Sequence, residues 1–246
     1  MSTGQAPTLV RSSSDLIVLT RLLLRLHVNR ARVISLGLLS SLTIALAAAT
    51  RGSDDPSEAG ALLVAEMGFG VILPVAVAWI GCAVVGDLVE DRTLVYLWQK
   101  PVSRITLATA AVFTSILVTL PVVGAPLVVA AVVADAEGLV TPVIAAVVIG
   151  SVAYSGLFVL AGARLRRGLW FALGYILSWE NGIARIGDSL ARLSISGYLQ
   201  SIVAEAMDVS TTLSGASTTA SVVTPLAVGL IGAVGTAVVL ARREID

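Results

Sequence analysis

Residues that carry most of the chemistry of soluble proteins are scarce in this chain. Its 246 residues include one cysteine, Cys82, and one histidine, His27. A single cysteine cannot form a disulfide within the chain, and a histidine-based metal site or catalytic triad would have to be built around His27 alone. The only lysine, Lys100, follows Gln99, so the Gly-Lys-Ser/Thr sequence of a phosphate-binding loop is missing. We therefore expect no enzyme activity from this chain, in particular no ATP hydrolysis, and no cofactor bound to it.

Charged residues are also few. They make up 13% of the chain, against 57% hydrophobic residues, and the mean hydropathy is +0.94. This composition is typical of an integral membrane protein rather than of a soluble domain. The formal net charge is zero, which argues against a nucleic-acid partner. We expect residues 1–246 to form a single transmembrane domain.

Six stretches are long and apolar enough to cross a bilayer. A helical crossing takes about 20 mostly apolar residues, because backbone polar groups must be satisfied within the segment. The six stretches are 33–50, 62–85, 105–134, 139–163, 168–182 and 222–241. The third contains Pro121, Gly124 and Pro126, which predicts a tilted or kinked helix. The predicted fold is an all-α polytopic membrane protein with six transmembrane helices.

The basic residues indicate an orientation for these helices. With the N-terminus inside the cell, only Arg51, Arg185 and Arg192 face outward and all other basic residues face the cytoplasm. The outer loops are correspondingly acidic, with Asp54 and Glu137 among their residues. Nearly all basic residues are arginine, which is typical of GC-rich bacterial genomes. We therefore predict a multi-pass protein of the bacterial plasma (inner) membrane with both termini in the cytoplasm.

Residues 15–32 predict an amphipathic helix that lies in the membrane surface and contacts its lipids. Its basic face consists of Arg21, Arg25 and Arg32, and its apolar face of Leu16, Leu19, Leu23 and Leu26. Such a helix either guides lipid and clamps the first span, or serves as an ordinary positive anchor on the inner surface. Both interpretations stay open.

A charged segment, "GDLVEDRTLVYLWQKPVSR" at 86–104, separates the second and third spans. Leu94, Leu97, Trp98 and Pro101 recur at helical spacing, so a short helix would present one apolar ridge. Acidic residues precede this ridge and basic residues follow it, which matches the helix dipole at both ends. Leucines and a tryptophan exposed to water favour a docking site for another protein over a solvated loop.

The same segment resembles a known motif. The residues that carry the resemblance are Glu90, Arg92, Thr93, Leu94, Tyr96, Leu97, Pro101, Val102, Ser103 and Arg104. In this order they are similar to the cytoplasmic segment of the permease subunits of type-2 ABC exporters. Trp98, Gln99 and Lys100 depart from the family pattern, in which an apolar residue and Thr-Arg more often precede the proline. The number of spans, the N-terminal helix and the long outer stretch after the fifth span also resemble that family.

The resemblance implies that residues 86–104 form a coupling helix that docks onto a separate ATPase subunit, which binds ATP and magnesium. The docking residues would be Glu90, Arg92, Thr93, Leu94, Tyr96, Leu97, Trp98, Lys100, Pro101 and Arg104. Closure of two ATPase subunits would then shift the spans between inward-open and outward-open states. A second copy of this chain, or a related permease, would enclose the pathway.

The outer region 183–221 predicts an extracellular helical gate followed by a loop. Ile183, Ile186, Leu190 and Leu193 make one apolar face, while Arg185, Asp188 and Arg192 lie on another face, where they can pair. In the resembling family, re-entrant helices cap the outer end of the route at this place. A floating surface helix is the alternative. Residues 210–221 lack periodicity, which predicts a loop.

Three polar residues are expected at or near membrane depth: Glu66 in the second span, and Glu180 and Asn181 at the end of the fifth. A charge at the centre of a lipid-exposed helix costs about 2.5–3.5 kcal/mol, so these residues are candidates for lining a route. Alternatively, the second span begins at Gly68 and the fifth ends at Trp179, which would leave both carboxylates at the headgroups.

The sequence also bears on functional classes other than an ATP-driven transporter. A membrane enzyme is disfavoured because Ser155 has no histidine base within a span. A non-transporting, ABC-like subunit that transmits force to a periplasmic partner fits the same coupling helix. A secondary transporter would usually show inverted repeats, and the sequence contains no internal repeat. The sequence does not specify a substrate.

Overall fold

The computed structural model describes residues 9–27, 30–90, 103–134, 136, 138–207 and 217–242. Within these ranges the chain is all-helical and contains no β-strand. Five helices are long and apolar enough to cross a membrane, so the protein is a multi-pass membrane protein. They are Arg30–Gly52, Pro56–Asp87, Arg104–Val133, Val140–Arg164 and Thr218–Arg242.

We number the helices in chain order. Helix α1 is Leu9–His27, and α2 is Arg30–Ala49 with a 3-10 turn at Thr50–Gly52. Helix α3 comprises Pro56–Leu63, a π-helical section at Val64–Ile72, and Leu73–Glu90. Helix α4 comprises Arg104–Thr119, a π-helical section at Leu120–Gly124, and Ala125–Val133. Helix α5 is Val140–Arg164, and α6 is Gly168–Tyr175 with a π-helical section at Ile176–Glu180. A 3-10 turn at Ile183–Arg185 leads to α7, Asp188–Ala191, then α8, Ile195–Met207, and α9, Thr218–Arg242.

Five of the six predicted spans coincide with the long helices α2, α3, α4, α5 and α9. The predicted fifth span, 168–182, corresponds to α6, which is helical from Gly168 to Glu180. At about 1.5 Å per residue this helix is shorter than the hydrocarbon core is thick. A complete sixth crossing therefore stays a prediction. The chain regains helical structure in α8, which packs against α5 and against the π-helical section of α3.

Helices α3 and α5 form the centre of the bundle. In their most apolar stretches, 83% of α3 and 67% of α5 is buried, against 22% for both α2 and α9. Glycines bring α5 unusually close to its neighbours. A Cβ atom on Gly156 would overlap the carbonyl oxygen of Gly229 on α9, and one on Gly162 would overlap the backbone of Cys82 on α3. Small residues thus permit backbone-to-backbone packing.

Contacts between helices define two ends of the bundle. Arg32, near the start of α2, forms a 2.8 Å ion pair with Asp87, near the end of α3. At the opposite end, the side chain of Arg51 donates a 2.8 Å hydrogen bond to the carbonyl oxygen of Val133, at the end of α4. We call the end with Arg32 and Asp87 the arginine end, because Arg104, Arg164 and Arg242 lie at the corresponding ends of α4, α5 and α9. We call the other end the cap end.

The helices begin and end where their terminal polar groups find partners. Asp55 accepts a hydrogen bond from the backbone N–H of Glu58 at 3.1 Å and caps α3, with Pro56 in the first turn. Ser103 accepts one from the backbone N–H of Thr106 at 3.0 Å and caps α4. The turn between α4 and α5 contains Gly138 at a φ of 85°, a conformation that side chains with a Cβ rarely adopt.

Helix α1 packs against α4. Its Leu19 and Leu23 are buried, whereas Arg21 and Arg25 are exposed. This distribution matches the predicted apolar and basic faces at those positions, although Leu26 is 56% exposed. A position of α1 in the membrane surface stays a prediction.

The contact between α5 and α9 is testable by substitution. In Gly156→Leu the new side chain cannot fit against the Gly229 backbone, so the free energy of unfolding should fall by about 1–3 kcal/mol or more. Thermal unfolding of the purified protein in detergent measures the loss. The matched control is Gly37→Leu on α2, because no atom lies within 4 Å of a Cβ there. Equal destabilisation of both variants would contradict the close packing.

Candidate functional site at the break between two helices

The candidate site lies where α6 ends and α8 begins. All residues from Ser194 to Ser201 are buried, so the first half of α8 is enclosed by protein on every side. Leu199 of α8 fits between Leu73 of α3 and Gly150 of α5, where a Cβ on Gly150 would come within 2.7 Å of either leucine side chain. The first half of helix α8 is therefore part of the bundle core.

Glu180, the last residue of α6, holds the start of α8 in place. Its side chain is 1% exposed. Its carboxylate accepts five hydrogen bonds, which come from the hydroxyl of Tyr175 at 2.7 Å, the hydroxyls of Ser194 and Ser196 at 2.5 Å each, and the backbone N–H groups of Ile195 and Ser196 at 3.2 and 3.1 Å. The buried carboxylate is thus matched entirely by donors.

The charge of this carboxylate suits its position. The first N–H groups of a helix have no partner within the helix and carry a partial positive charge. Ser194 satisfies one of them, because its hydroxyl accepts a 3.0 Å hydrogen bond from the N–H of Gly197. Glu180 satisfies two more from outside the helix. An anion from one helix therefore caps the N-terminus of another.

Aromatic side chains pack around Tyr175, whose hydroxyl is the hydrogen-bond donor from α6. Tyr175 packs edge-on against Phe158 of α5, with ring centroids 6.4 Å apart, and Phe158 stacks on Tyr154 with centroids 5.4 Å apart. Tyr154 is fully buried and lies against the same Glu180 carboxylate. These rings fix the hydroxyl of Tyr175 and enclose the carboxylate on the side of α5.

Asn181 compensates for a proline in α3. Pro74 has no N–H, so the carbonyl oxygen of Gly70, four residues earlier, cannot receive its α-helical hydrogen bond. The side-chain amide of Asn181 donates to this oxygen at 2.8 Å. Gly70 is close to the midpoint of the Pro56–Asp87 helix. The break between α6 and α8 therefore lies against the middle of α3, not at its end.

An ion pair lies beside this contact. The guanidinium of Arg185 contacts the Glu66 carboxylate at 2.5 Å and the side-chain oxygen of Asn181 at 3.4 Å. Gln200 also faces Gly70, where a Cβ would lie 3.1 Å from its amide nitrogen and 3.2 Å from Arg185. A Cβ atom at this position would push these side-chain ends aside by a few tenths of an ångström. We call Glu66, Asn181, Arg185 and Gln200 the polar junction.

The polar junction has two properties of a binding site. The Glu66 and Arg185 side chains are 33% and 38% exposed, so one side of the ion pair is accessible. The amide nitrogen of Gln200 is buried and has no hydrogen-bond partner among the described residues. Groups of three or more histidine, cysteine, aspartate or glutamate side chains that could hold a metal ion do not occur in the described ranges.

The structure brings together three residues that the sequence places at membrane depth. Glu66, Glu180 and Asn181 all lie at the junction of α3, α6 and α8. The helix that contains Glu66 begins at Pro56, so this carboxylate lies ten residues after the start of the helix. Its depth in the membrane stays a prediction. Glu180 is a buried structural anchor, whereas Glu66 keeps an accessible side.

The predicted gate segment differs in its details. Residues 183–193 form a 3-10 turn and the four-residue α7 instead of one helix. Arg185 pairs with Glu66 of α3. The side chain of Asp188, predicted to pair within the segment, lies outside the described residues. Ile183, Ile186 and Leu193 are exposed and Leu190 is half-buried. Whether they form a gate stays a prediction.

Most residues of the predicted docking segment lie outside the described residues. These are Arg92, Thr93, Leu94, Tyr96, Leu97, Trp98, Lys100 and Pro101. Helix α3 ends at Glu90, and α4 begins at Arg104 with Ser103 as its cap. The segment therefore connects two helix ends that both lie at the arginine end.

Helix α8 was not predicted from the sequence, although one signal was present. Ser194 followed by Ile195, Ser196 and Gly197 is a typical helix start, because a serine at the cap position accepts from the third N–H. The predicted loop at 210–221 is helical from Thr218 onward, where α9 begins, and 208–216 lies outside the described residues.

No family model, curated protein or solved structure matches this chain.

The anchoring role of Glu180 predicts a large loss of stability on substitution. Glu180→Gln keeps the shape of the side chain but places an amide N–H group against donors and removes the negative charge. The free energy of unfolding should therefore fall by about 1.5–3 kcal/mol. For a chain of this size the melting temperature in detergent should fall by about 3–12 °C. The control is Glu205→Gln, because Glu205 is exposed and accepts only from the hydroxyl of Thr218 in the described structure. A Glu180→Gln variant as stable as the control would refute the anchor.

Proposed function

We propose that this chain is the membrane-spanning subunit of an ATP-driven exporter of the ABC type. It works with a separate ATPase subunit and with a second copy of itself or a related permease. Substrate moves by alternating access, and the chain binds no ATP. The protein lies in the bacterial plasma membrane with the arginine end and both termini in the cytoplasm, as the concentration of arginines at that end favours.

The observation that carries the transport proposal is the accessible ion pair between Glu66 and Arg185. Glu66 lies in the candidate membrane span Pro56–Asp87, and Arg185 reaches it from the 3-10 turn after α6. In a membrane, charges exposed to lipid are unfavourable and charges facing water or protein are tolerated. In a single copy about a third of each side chain is uncovered. A water-filled pathway between two copies accommodates this face without exposing the charges to hydrocarbon.

The proposed site of energy input is the segment between α3 and α4. Its motif resembles the coupling segment of type-2 ABC permeases, and the helix ends that it joins lie at the proposed cytoplasmic end. Nearby, Arg32 and Asp87 tie α2 to α3, so a displacement of the segment would pull on both helices. Movement of α3 relative to α8 would then open or close the polar junction, with residues 183–193 as the outer gate.

A specific observation also favours the second candidate, a subunit that transmits force to a periplasmic partner without transport. The hydrogen bonds at Glu180 and the buried first half of α8 attach α8 firmly to α6 and to the bundle. A firmly attached α8 would transmit a movement of α3 or α5 to the outer surface. The two functions differ in whether anything crosses the membrane.

The docking role is tested by removing the apolar ridge. In Leu94→Ser/Leu97→Ser/Trp98→Ser, co-purification with the proposed ATPase subunit should be lost, since the ridge would supply most of the apolar contact. The matched control is Ile17→Ser/Val18→Ser/Leu22→Ser, three exposed apolar residues of α1. An intact complex in the ridge variant would disprove docking through this segment.

The transport role is tested at the ion pair. Glu66→Gln and Arg185→Gln should lower ligand-stimulated ATP hydrolysis of the complex in nanodiscs at least tenfold, because each leaves an unpaired charge in the proposed pathway. Basal hydrolysis and co-purification with the ATPase should persist. The double variant Glu66→Arg/Arg185→Glu should recover part of the stimulation if the pair acts as a unit. Unchanged stimulation in all three variants would favour force transmission over transport.

A further inference from the structure

An apolar groove runs along the outside of the bundle between α4 and α9. Its volume is about 530 Å³. Alanines form its floor, among them Ala108 on α4 and Ala233 and Ala237 on α9, and larger side chains such as Phe113 and Val234 form its walls. Phe113 is 49% exposed and Val234 56% exposed, so the groove is open to the surroundings of the bundle.

The length of the groove corresponds to one leaflet of a bilayer. It extends on α4 from Arg104 to Phe113 and on α9 from Ala241 back to Leu230. At about 1.5 Å per residue this is about 14–17 Å. The hydrocarbon core of a bilayer is about 30 Å thick, so the groove covers about half of it. It begins at the arginine end and stops near the middle of the membrane.

The two ends of the groove differ in polarity. Arg104 lies at the mouth, at the N-terminus of α4, where the helix dipole adds to the positive charge of the guanidinium. Arg242 follows Ala241 directly and is exposed at the same end. Inside the groove, the hydroxyl of Thr109 donates to the carbonyl oxygen of Ile105 within its own helix at 2.9 Å. The hydroxyl of Thr109 therefore needs no hydrogen bond from a molecule bound in the groove.

We propose that this groove binds one phospholipid of the leaflet at the arginine end. One acyl chain lies in the groove against the alanines, and the phosphate group lies at Arg104. The length and the apolar interior of the groove match one acyl chain. The positively charged mouth matches the phosphate group. Anionic headgroups bind more tightly than zwitterionic ones, because positive charge at a membrane surface attracts anionic lipids.

A transmembrane helix of a second copy fits this groove less well. A helix that crosses the membrane would need a complementary surface over the full hydrocarbon thickness, and the groove ends halfway. A guanidinium at its mouth also favours a phosphate over an apolar helix. The groove lies between α4 and α9, apart from the accessible ion pair of α3, so the lipid site is independent of the proposed transport pathway.

The site is tested by photocrosslinking in nanodiscs with phosphatidylglycerol that carries a diazirine in one acyl chain. Crosslinks should map by mass spectrometry to α4 and α9 near Phe113 and Val234. Ala237→Phe fills the groove and should lower this crosslinking at least fivefold. The matched control, Ala45→Phe on the exposed face of α2, should leave it unchanged.

A second arm addresses the headgroup. Arg104→Gln should remove most of the preference for phosphatidylglycerol over diacylglycerol, which lacks the phosphate, while crosslinks with diacylglycerol persist. Competition by soluble glycerol phosphate would show that the mouth binds the phosphate group without the chain and would contradict the lipid proposal. Crosslinks spread evenly over all lipid-facing helices, or crosslinks between two copies at α9, would also overturn it.

Discussion

Hydrocarbon offers no hydrogen bonds, so a helix that starts inside a membrane bundle must have its first N–H groups satisfied by protein. Helix α8 starts in this way, and the carboxylate of Glu180 supplies the acceptor. The same carboxylate receives the hydroxyls of Tyr175, Ser194 and Ser196, so one buried anion joins α6, the following turn and α8. Without it, two serines, a tyrosine and two backbone N–H groups would be left without this acceptor.

The segment between α6 and α8 also supplies partners for polar groups of α3. Pro74 frees the carbonyl oxygen of Gly70, and Asn181 donates to it. Arg185 neutralises Glu66 and also contacts Asn181. The free carbonyl oxygen of Gly70 and the charge of Glu66, both on α3, are thus compensated by side chains from the segment between α6 and α8. This arrangement explains why the break in the chain lies against the middle of α3, where the π-helical section and the proline occur together.

The long helices could be predicted from the sequence because hydropathy is a local property that accumulates over about 20 residues. The start of α4 could be predicted from Ser103, and the packing role of Gly156 and Gly162 from their size. The contacts of the segment between α6 and α8 could not be predicted in the same way. Spacing predicts only local partners for Arg185, whereas its partner Glu66 lies far away in sequence and close in space. Helix α8 was missed because the serines at its start are as typical of loops as of helix caps.

The contact between Gly156 and Gly229 has a mechanical consequence for the whole molecule. Helices in backbone contact cannot slide past one another without collision, because no flexible side chains lie between them to repack. Sliding of α5 along α9, and of α5 along α3 where Gly162 meets Cys82, is therefore restricted. A large rearrangement of this protein would instead be a hinge or shear of the other described helices, α8 among them, around these three helices.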